Sequence, residues 1–185
     1  MQVITDWKYD EATNLLGRLP SNLNVVADLG AGRRDNPVSL QVREIQCKHL
    51  ISVEAFEPYL ELLLRRSPIA GTHDVVHANL INSNYKLRSC DLVLLLDVIE
   101  HLGKEEALEL LDYLKTIAKC IVIFTPVGDT IGYTNGDMGN PLQEHKSAWT
   151  ADEFEEMAFE VTVYEKFHVH LGDIGAMWAI WKSNE

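Results

Sequence analysis

Hydrophobic positions along the chain alternate between short continuous runs and longer stretches spaced at three and four residues. The continuous runs predict strands over Val25–Leu29, His49–Glu54, Asp74–His77, Leu92–Leu96 and Ile121–Phe124. Leu92-Val93-Leu94-Leu95-Leu96 is apolar on both faces, as a parallel strand covered by helices on each side must be. Helical spacing appears between these runs. Ala12, Leu15, Leu16 and Leu19 predict a lead-in helix over 6–19, and Val38, Val42 and Ile45 a helix over about 36–47. Pro58 opens a Leu-rich helix through Arg66, and Ala107, Leu110, Leu111, Leu114 and Ile117 mark an amphipathic one. A polar loop containing Asn82, Ser83 and Asn84 follows the third strand. Residues 127–147 show no periodicity and carry Gly128, Gly132, Gly136 and Gly139, the character of a lid or substrate loop. Thr150, with Glu153 three residues on, forms a capping box. Val161, Val163 and Phe167 alternate with polar residues, whereas Ala176 to Trp181 is apolar throughout. That contrast predicts a closing hairpin with its first strand at the sheet edge and its last strand inside.

Strands alternating with helices and ending in a hairpin give an α/β fold: a Rossmann-like three-layer sandwich around a mostly parallel, seven-stranded sheet with a C-terminal antiparallel hairpin. With no linker or repeat, 185 residues form one domain over 1–185, its core spanning 23–182. In such open sheets the ligand lies outside the carboxyl ends of the strands.

Composition narrows the function. The net charge of −12 disfavours a broad nucleic-acid surface, leaving Arg33-Arg34 and Arg65-Arg66 as the only short basic pairs. No apolar run approaches the roughly 20 residues of a membrane span, and residues 1–6 lack the pattern of a signal peptide. Cys47, Cys90 and Cys120 are too scattered for a disulfide framework or a Cys-x-x-Cys metal site, so they read as buried thiols in a reducing, cytoplasmic protein.

The chemistry expected at the strand ends starts with Asp28-Leu29-Gly30-Ala31-Gly32, a glycine turn that lets backbone approach a nucleotide-like cofactor. Asn36 or Asp35 caps the following helix. A dinucleotide fingerprint needs Gly or Ala at position 35, where this chain has Asp35, which counts against a dehydrogenase. Glu54 falls 22 residues after Gly32, near the spacing at which an acid meets ribose hydroxyls. Asn79 follows strand three, and Asp97, Glu100 and His101 follow strand four.

These residues, read together, resemble a class I S-adenosylmethionine (SAM)-dependent methyltransferase of the small bacterial branch often labelled type 11. Asp28–Gly32 resembles its first motif, Val53–Pro58 its ribose motif, Cys90–Val93 through Asp97–Leu102 its fourth, and His145–Thr150 a late segment of some members. The resemblance implies SAM as cofactor and S-adenosylhomocysteine (SAH) as product. Gly30 and Gly32 would then border the methionine portion, with Asp28 near its amino group. Glu54 would hold the ribose, Asn79 and Leu80 would border the adenine, and Asp97 would lie beside the sulfonium-bearing part. Two positions depart from the family pattern. Arg34 replaces a third glycine, so it points away from the ligand or clamps its carboxylate. Asn79 replaces the usual adenine-reading acid, and its amide offers both donors and an acceptor.

Methyl transfer needs alignment and exclusion of water, with a base only where the acceptor loses a proton. His101 and His145 are the candidate bases; the alternatives are a structural histidine at 101 and an exposed loop residue at 145. Tyr133 and Trp149 flank the long loop, either lining an acceptor pocket or, for Trp149, stapling the next helix. The expected partner is a small-molecule acceptor methylated at oxygen or nitrogen. A catalytically silent cofactor-binding module is one alternative. The other is a Mg²⁺-assisted RNA 2′-O-methyltransferase, whose metal would sit on Asp97, Glu100, His101 and His145 or His77.

Overall fold

The computed structural model describes residues 1–66, 68, 71–81, 86–168, 172 and 174–184; the expected polar loop with Asn82, Ser83 and Asn84 lies outside them. The strands are β1 (Gln2–Ile4), β2 (Leu23–Leu29), β3 (Cys47–Glu54), β4 (Thr72–His77), β5 (Cys90–Leu96), β6 (Ala118–Val127), β7 (Glu160–His168) and β8 (Ile174–Lys182). The α-helices are α1 (Tyr9–Ala12), α2 (Glu57–Arg65), α3 (Lys104–Ile117) and α4 (Ala151–Glu156). Among the described residues, one sheet has the order β1-β7-β8-β6-β5-β2-β3-β4. All neighbours are parallel except β8, which runs antiparallel to both β6 and β7. No described helix is long and apolar enough to cross a membrane.

Alternation within the apolar strands divides their side chains between two cores. Ala27, Leu29, Val93, Leu95, Ile121 and Ile123 pack on α3 and α4 through Ala107, Leu111, Leu114 and Phe154. Val26, Leu50, Leu92, Leu94, Val122 and Phe124 face the other way, onto Ala12, Leu15, Val38, Val42 and Trp178. Trp178 and Trp149 are both buried, and Cys47, Cys90 and Cys120 are free, buried thiols.

The sheet has eight strands rather than seven because Gln2–Ile4 pairs in parallel with Thr162–Tyr164 of β7. β7 is therefore not the edge, while β8 lies inside as its apolar run requires. The lead-in helix over 6–19 is replaced by the four-residue α1 and a 3₁₀ turn at Leu16–Arg18. Side chains take the backbone groups a helix would use. Gln41 accepts from Leu15 N–H at 3.0 Å and donates to Thr13 C=O at 2.8 Å, and Asn14 accepts from Gly17 N–H at 2.9 Å. The helix over 36–47 is a 3₁₀ segment, Ser39–Glu44. Its buried positions Ser39, Val42 and Ile45 recur every three residues, the period of that tighter helix. The Thr150–Glu153 capping box forms as expected and starts α4.

Candidate functional site

Sheet order reverses between β5 and β2, with β3 and β4 extending one side and β6 the other. Residues just beyond these strands face one crevice. A cleft of about 520 Å³ lies there, and it brings together Gly30, Gly32, Glu54, Asn79, Leu80, Asp97, Glu100, His101 and His145. Asp28 sits below the turn instead, and His77 is an exposed residue bonded to Ala55 C=O at 3.0 Å.

The turn after β2 requires glycine for two reasons. At Gly30 (φ +64°) a Cβ would stand 2.8 Å from a Val98 methyl. At Gly32 (φ +57°) a Cβ would meet only Gly30 C=O, at 3.9 Å, so the left-handed backbone is the constraint. Ala31 N–H donates to Val53 C=O at 3.0 Å, and Gly32 N–H to Glu54 Oε2 at 2.8 Å. Glu54 Oε1 accepts from Phe56 N–H at 2.7 Å. Each carboxylate oxygen retains capacity for another donor. Burial pushes the Glu54 carboxyl up, partly offset by the Phe56 and Gly32 amides. Asn36 caps the 3₁₀ segment, its Oδ1 accepting from Val38 and Ser39 N–H at 3.0 and 2.8 Å. Asn79 is exposed at the rim, where its Oδ1 accepts from Ile81 N–H at 2.9 Å and its NH₂ group is directed by that bond.

Arg34 points away from the cleft centre into the interior and is 1% exposed. Its Nη2 donates to Asp28 Oδ2 at 2.7 Å. The acid expected beside a ligand amino group is thus occupied by a guanidinium. The other members of the two basic pairs are engaged too. Arg33 pairs with Asp35 and Asp137 at 2.5 and 3.1 Å, Arg65 pairs with Glu61, and Arg66 donates to the Arg33 and Arg34 carbonyls at 2.5 and 3.0 Å. Arg66, just past the last residue of α2, thereby ties that helix to the turn.

Beyond β5, Asp97 adopts φ +54° with its N–H donating to Phe124 C=O at 2.8 Å. Glu100 is 2% exposed and accepts from the Thr125 hydroxyl at 2.9 Å; burial pushes it up to about 7. Burial, reinforced by Glu100, also raises Asp97. The rings of His101 and His145 meet edge to face with centroids 4.8 Å apart. His145 Nδ1 lies 2.8 Å from Thr130 Oγ1, and His101 Nδ1 lies 3.3 Å from Glu144 C=O. Burial pushes His145 down to about 4, helped by His101, and burial lowers His101 as well. One ligand atom from each of Glu100, His101 and His145 lies within 4.8 Å of the others; Asp97 and His77 are not in this group. One carboxylate and two imidazoles, each with its other nitrogen held, suit a first-row transition ion better than Mg²⁺, which prefers oxygen.

The 127–147 segment lines one side of the cleft through Tyr133, Asn135, Asn140 and His145. Lys146 and Ser147 N–H both donate to Glu100 C=O, at 2.7 and 3.1 Å, and Gly132 N–H donates to His145 C=O at 2.9 Å. Its middle is latched where Asp137 accepts from the Tyr59 hydroxyl and from Arg33 Nε. Burial and Asp137 push Tyr59 up to about 12. Tyr59 and Asp137 carry no local sequence signal, because they meet only across the fold. Tyr133 lines the cleft, whereas Trp149 stacks on Phe154 at 5.0 Å with Lys104 over its ring, stapling α4.

No family model and no curated protein matches the sequence. Solved structures do match. The methyltransferase domain of bacterial CtHen1-CN superposes with a TM-score of 0.61 at 17% identity, covering 94% of this chain and 98% of that one. N-methyltransferase NodS from Bradyrhizobium japonicum WM9 in complex with SAH gives 0.67 at 12% identity, covering 95% and 87%. The DhpI–SAM–HEP complex gives 0.66 at 10% identity, covering 93% and 86%. The chain has the fold of the class I SAM-dependent methyltransferases.

Proposed function

We propose that this chain is a SAM-dependent methyltransferase that methylates an oxygen or nitrogen of a small-molecule acceptor. The observation that carries the reading is Glu54. Its carboxylate anchors the glycine turn through Gly32 N–H and opens onto the same cleft as Asn79 and Asp97. That donor set fits a nucleoside: two acceptor oxygens suit vicinal hydroxyls, and the Asn79 amide with Leu80 suits a purine edge. When bound, SAM supplies a methyl group on a positively charged sulfur. Gly30 and Gly32 allow the backbone to approach its amino-acid portion, and Asp97 contributes an oxygen at that end. Asp28 is left out, because Arg34 occupies it.

The 127–147 segment covers the acceptor end and limits water there, with Tyr133 on its inner side. His145, held neutral by burial and oriented through Thr130, accepts a proton from a hydroxyl or amine as the methyl arrives; His101 stands next to it. The engaged arginines and the net −12 charge favour a small molecule over a nucleic acid. A second reading, metal-assisted transfer including RNA 2′-O-methylation, is favoured by the Glu100–His101–His145 cluster.

The test joins calorimetry with SAH to methyl transfer from labelled SAM across a panel of small alcohols and amines. SAH binding is expected in the wild type and in His145→Gln, with transfer lost in the variant and unaffected by chelators. Absence of SAH binding at high micromolar concentration overturns the reading. Transfer abolished by chelation and restored by a divalent ion selects the metal-assisted one, and binding with no turnover selects the silent module.

A further inference from the structure

We propose that Arg34 is a positioning residue that clamps the glycine turn into its cofactor-receiving shape, with Asp28 and Ser52 as its anchors. The inference rests on the reading that SAM lies over Gly30–Gly32.

Asp28 is near the end of β2, and Arg34 stands where the chain leaves the turn. Their side chains meet beneath it, so one ion pair closes the loop formed by Leu29–Arg33. Two guanidinium nitrogens converge on the same Asp28 oxygen, Nη2 at 2.7 Å and Nε at 3.1 Å. Nη2 also donates to Ser52 Oγ, and Nη1 lies 3.4 Å from Arg66 C=O. Ser52 is the register partner of Asp28 across the β2–β3 pair, so the clamp grips both strands. A guanidinium only donates, so the Ser52 hydroxyl accepts from it and turns its own hydrogen to His73 Nε2, 2.9 Å away. Arg66 completes the frame from α2 by donating to the carbonyls of Arg33 and Arg34.

The backbone shows what the clamp maintains. Arg34 has φ +51°, a conformation that a long side chain avoids unless its surroundings over-determine it. Gly30 and Gly32 are left-handed as well, so the turn holds three such residues within five positions. Glu54 holds it from the cleft side through Gly32 N–H, and Arg34 holds it from below. A buried ion pair is a poor source of stability compared with apolar packing of equal volume. Its value here is geometric, since it fixes both ends of the loop that must lie against the ligand.

The experiment compares Asp28→Asn, Arg34→Met, the double variant and Arg34→Lys. Each is read by melting temperature, by hydrogen exchange of the turn amides without ligand, and by calorimetry with SAH. Arg34→Met, which strands a buried carboxylate, is expected to melt about 10 °C lower. The double variant removes both charges and should recover to within about 4 °C of wild type. Its turn amides should nevertheless exchange at least about tenfold faster, and SAH should bind at least about tenfold more weakly. Arg34→Lys keeps the charge without the fork and should bind SAH about fivefold more weakly while folded. A double variant whose SAH affinity returns together with its melting temperature overturns the proposal, as does unchanged turn exchange. If the double variant does not fold, wild-type SAH affinity in Arg34→Lys overturns it equally. A wild-type protein that fails to bind SAH removes the cofactor reading instead, and the ligand-free exchange data alone then decide whether the clamp exists.

Discussion

Replacing Glu54 tests the cofactor site most directly, because its hydrogen bonds define the expected magnitude. The carboxylate lies 2.8 Å from Gly32 N and 2.7 Å from Phe56 N and has capacity for two further donors. Hydrogen bonds to a charged acceptor contribute about 1.5–3 kcal/mol each. In the proposed complex two ribose hydroxyls would therefore place about 3–6 kcal/mol on Glu54, and water entering the space left by Glu54→Ala would recover part of it. A net loss of about 3 kcal/mol weakens SAH binding by on the order of 100-fold at 1.36 kcal/mol per decade. Glu54→Gln keeps one acceptor oxygen but turns an NH₂ toward one of the two backbone donors. One bond is lost and one contact becomes unfavourable, so affinity falls about 10- to 30-fold. Titration calorimetry with SAH, on proteins shown by circular dichroism to be folded, gives the order wild type, Gln, Ala. Folded Glu54→Ala that binds SAH within threefold of wild type refutes the assignment, and so does a Gln variant weaker than Ala.

Other consequences are open to simpler measurements. Asp137→Asn removes the charged partner of Tyr59, so ultraviolet titration against a Tyr59→Phe blank should show Tyr59 ionising below its present value of about 12; an unchanged titration contradicts the latch. Asp91 is held down to about 2 by Lys119 and by the amides of Val25 and Asn24, against an ordinary 3.8. Its stabilisation is complete above about pH 5 and fades as pH falls through 3.8 and then through 2. Urea melts should therefore find Asp91→Asn weaker by about 1–2 kcal/mol at pH 7, with the difference shrinking steadily as the pH is lowered from about 5 toward 2. Thr150→Ala breaks the capping box of α4 and should cost about 1 kcal/mol, seen as a drop of about 2–4 °C in melting temperature.

What the sequence discloses depends on whether one segment contains the cause. β2, β3, β5 and β6 are legible because burial on both faces leaves continuous apolar runs, and the Thr150 cap because its partner is three residues away. The lead-in helix is not legible, since Gln41 competes for its backbone from a distant segment. Neither is β1, whose three residues carry no pattern until Thr162–Tyr164 lies alongside. Glu54, Asn79 and Asp97 share the cleft as their strand-end positions suggest. Asp28 illustrates where position in a motif misleads. Strand parity places it opposite Ala27 and Leu29, on the side of Val26, and there the interior carries Arg34. That Arg34 points away from the ligand is one of two alternatives the sequence leaves open; that it reaches Asp28 is not legible, because the two side chains meet only beneath the folded turn.

The pairing of β2 with β5 bears on how the protein is made. Val26 to Leu29 reach Leu92 to Leu95 only after the intervening chain has been placed, and the Tyr59–Asp137 latch and the β1–β7 pairing need longer closures still. Such non-local pairing slows folding, and it leaves a nascent or truncated chain without a ligand crevice until most of the sheet is complete. Ligand added to such a protein would lengthen the lifetime of the finished molecule by slowing its unfolding, and would do little to hasten its assembly.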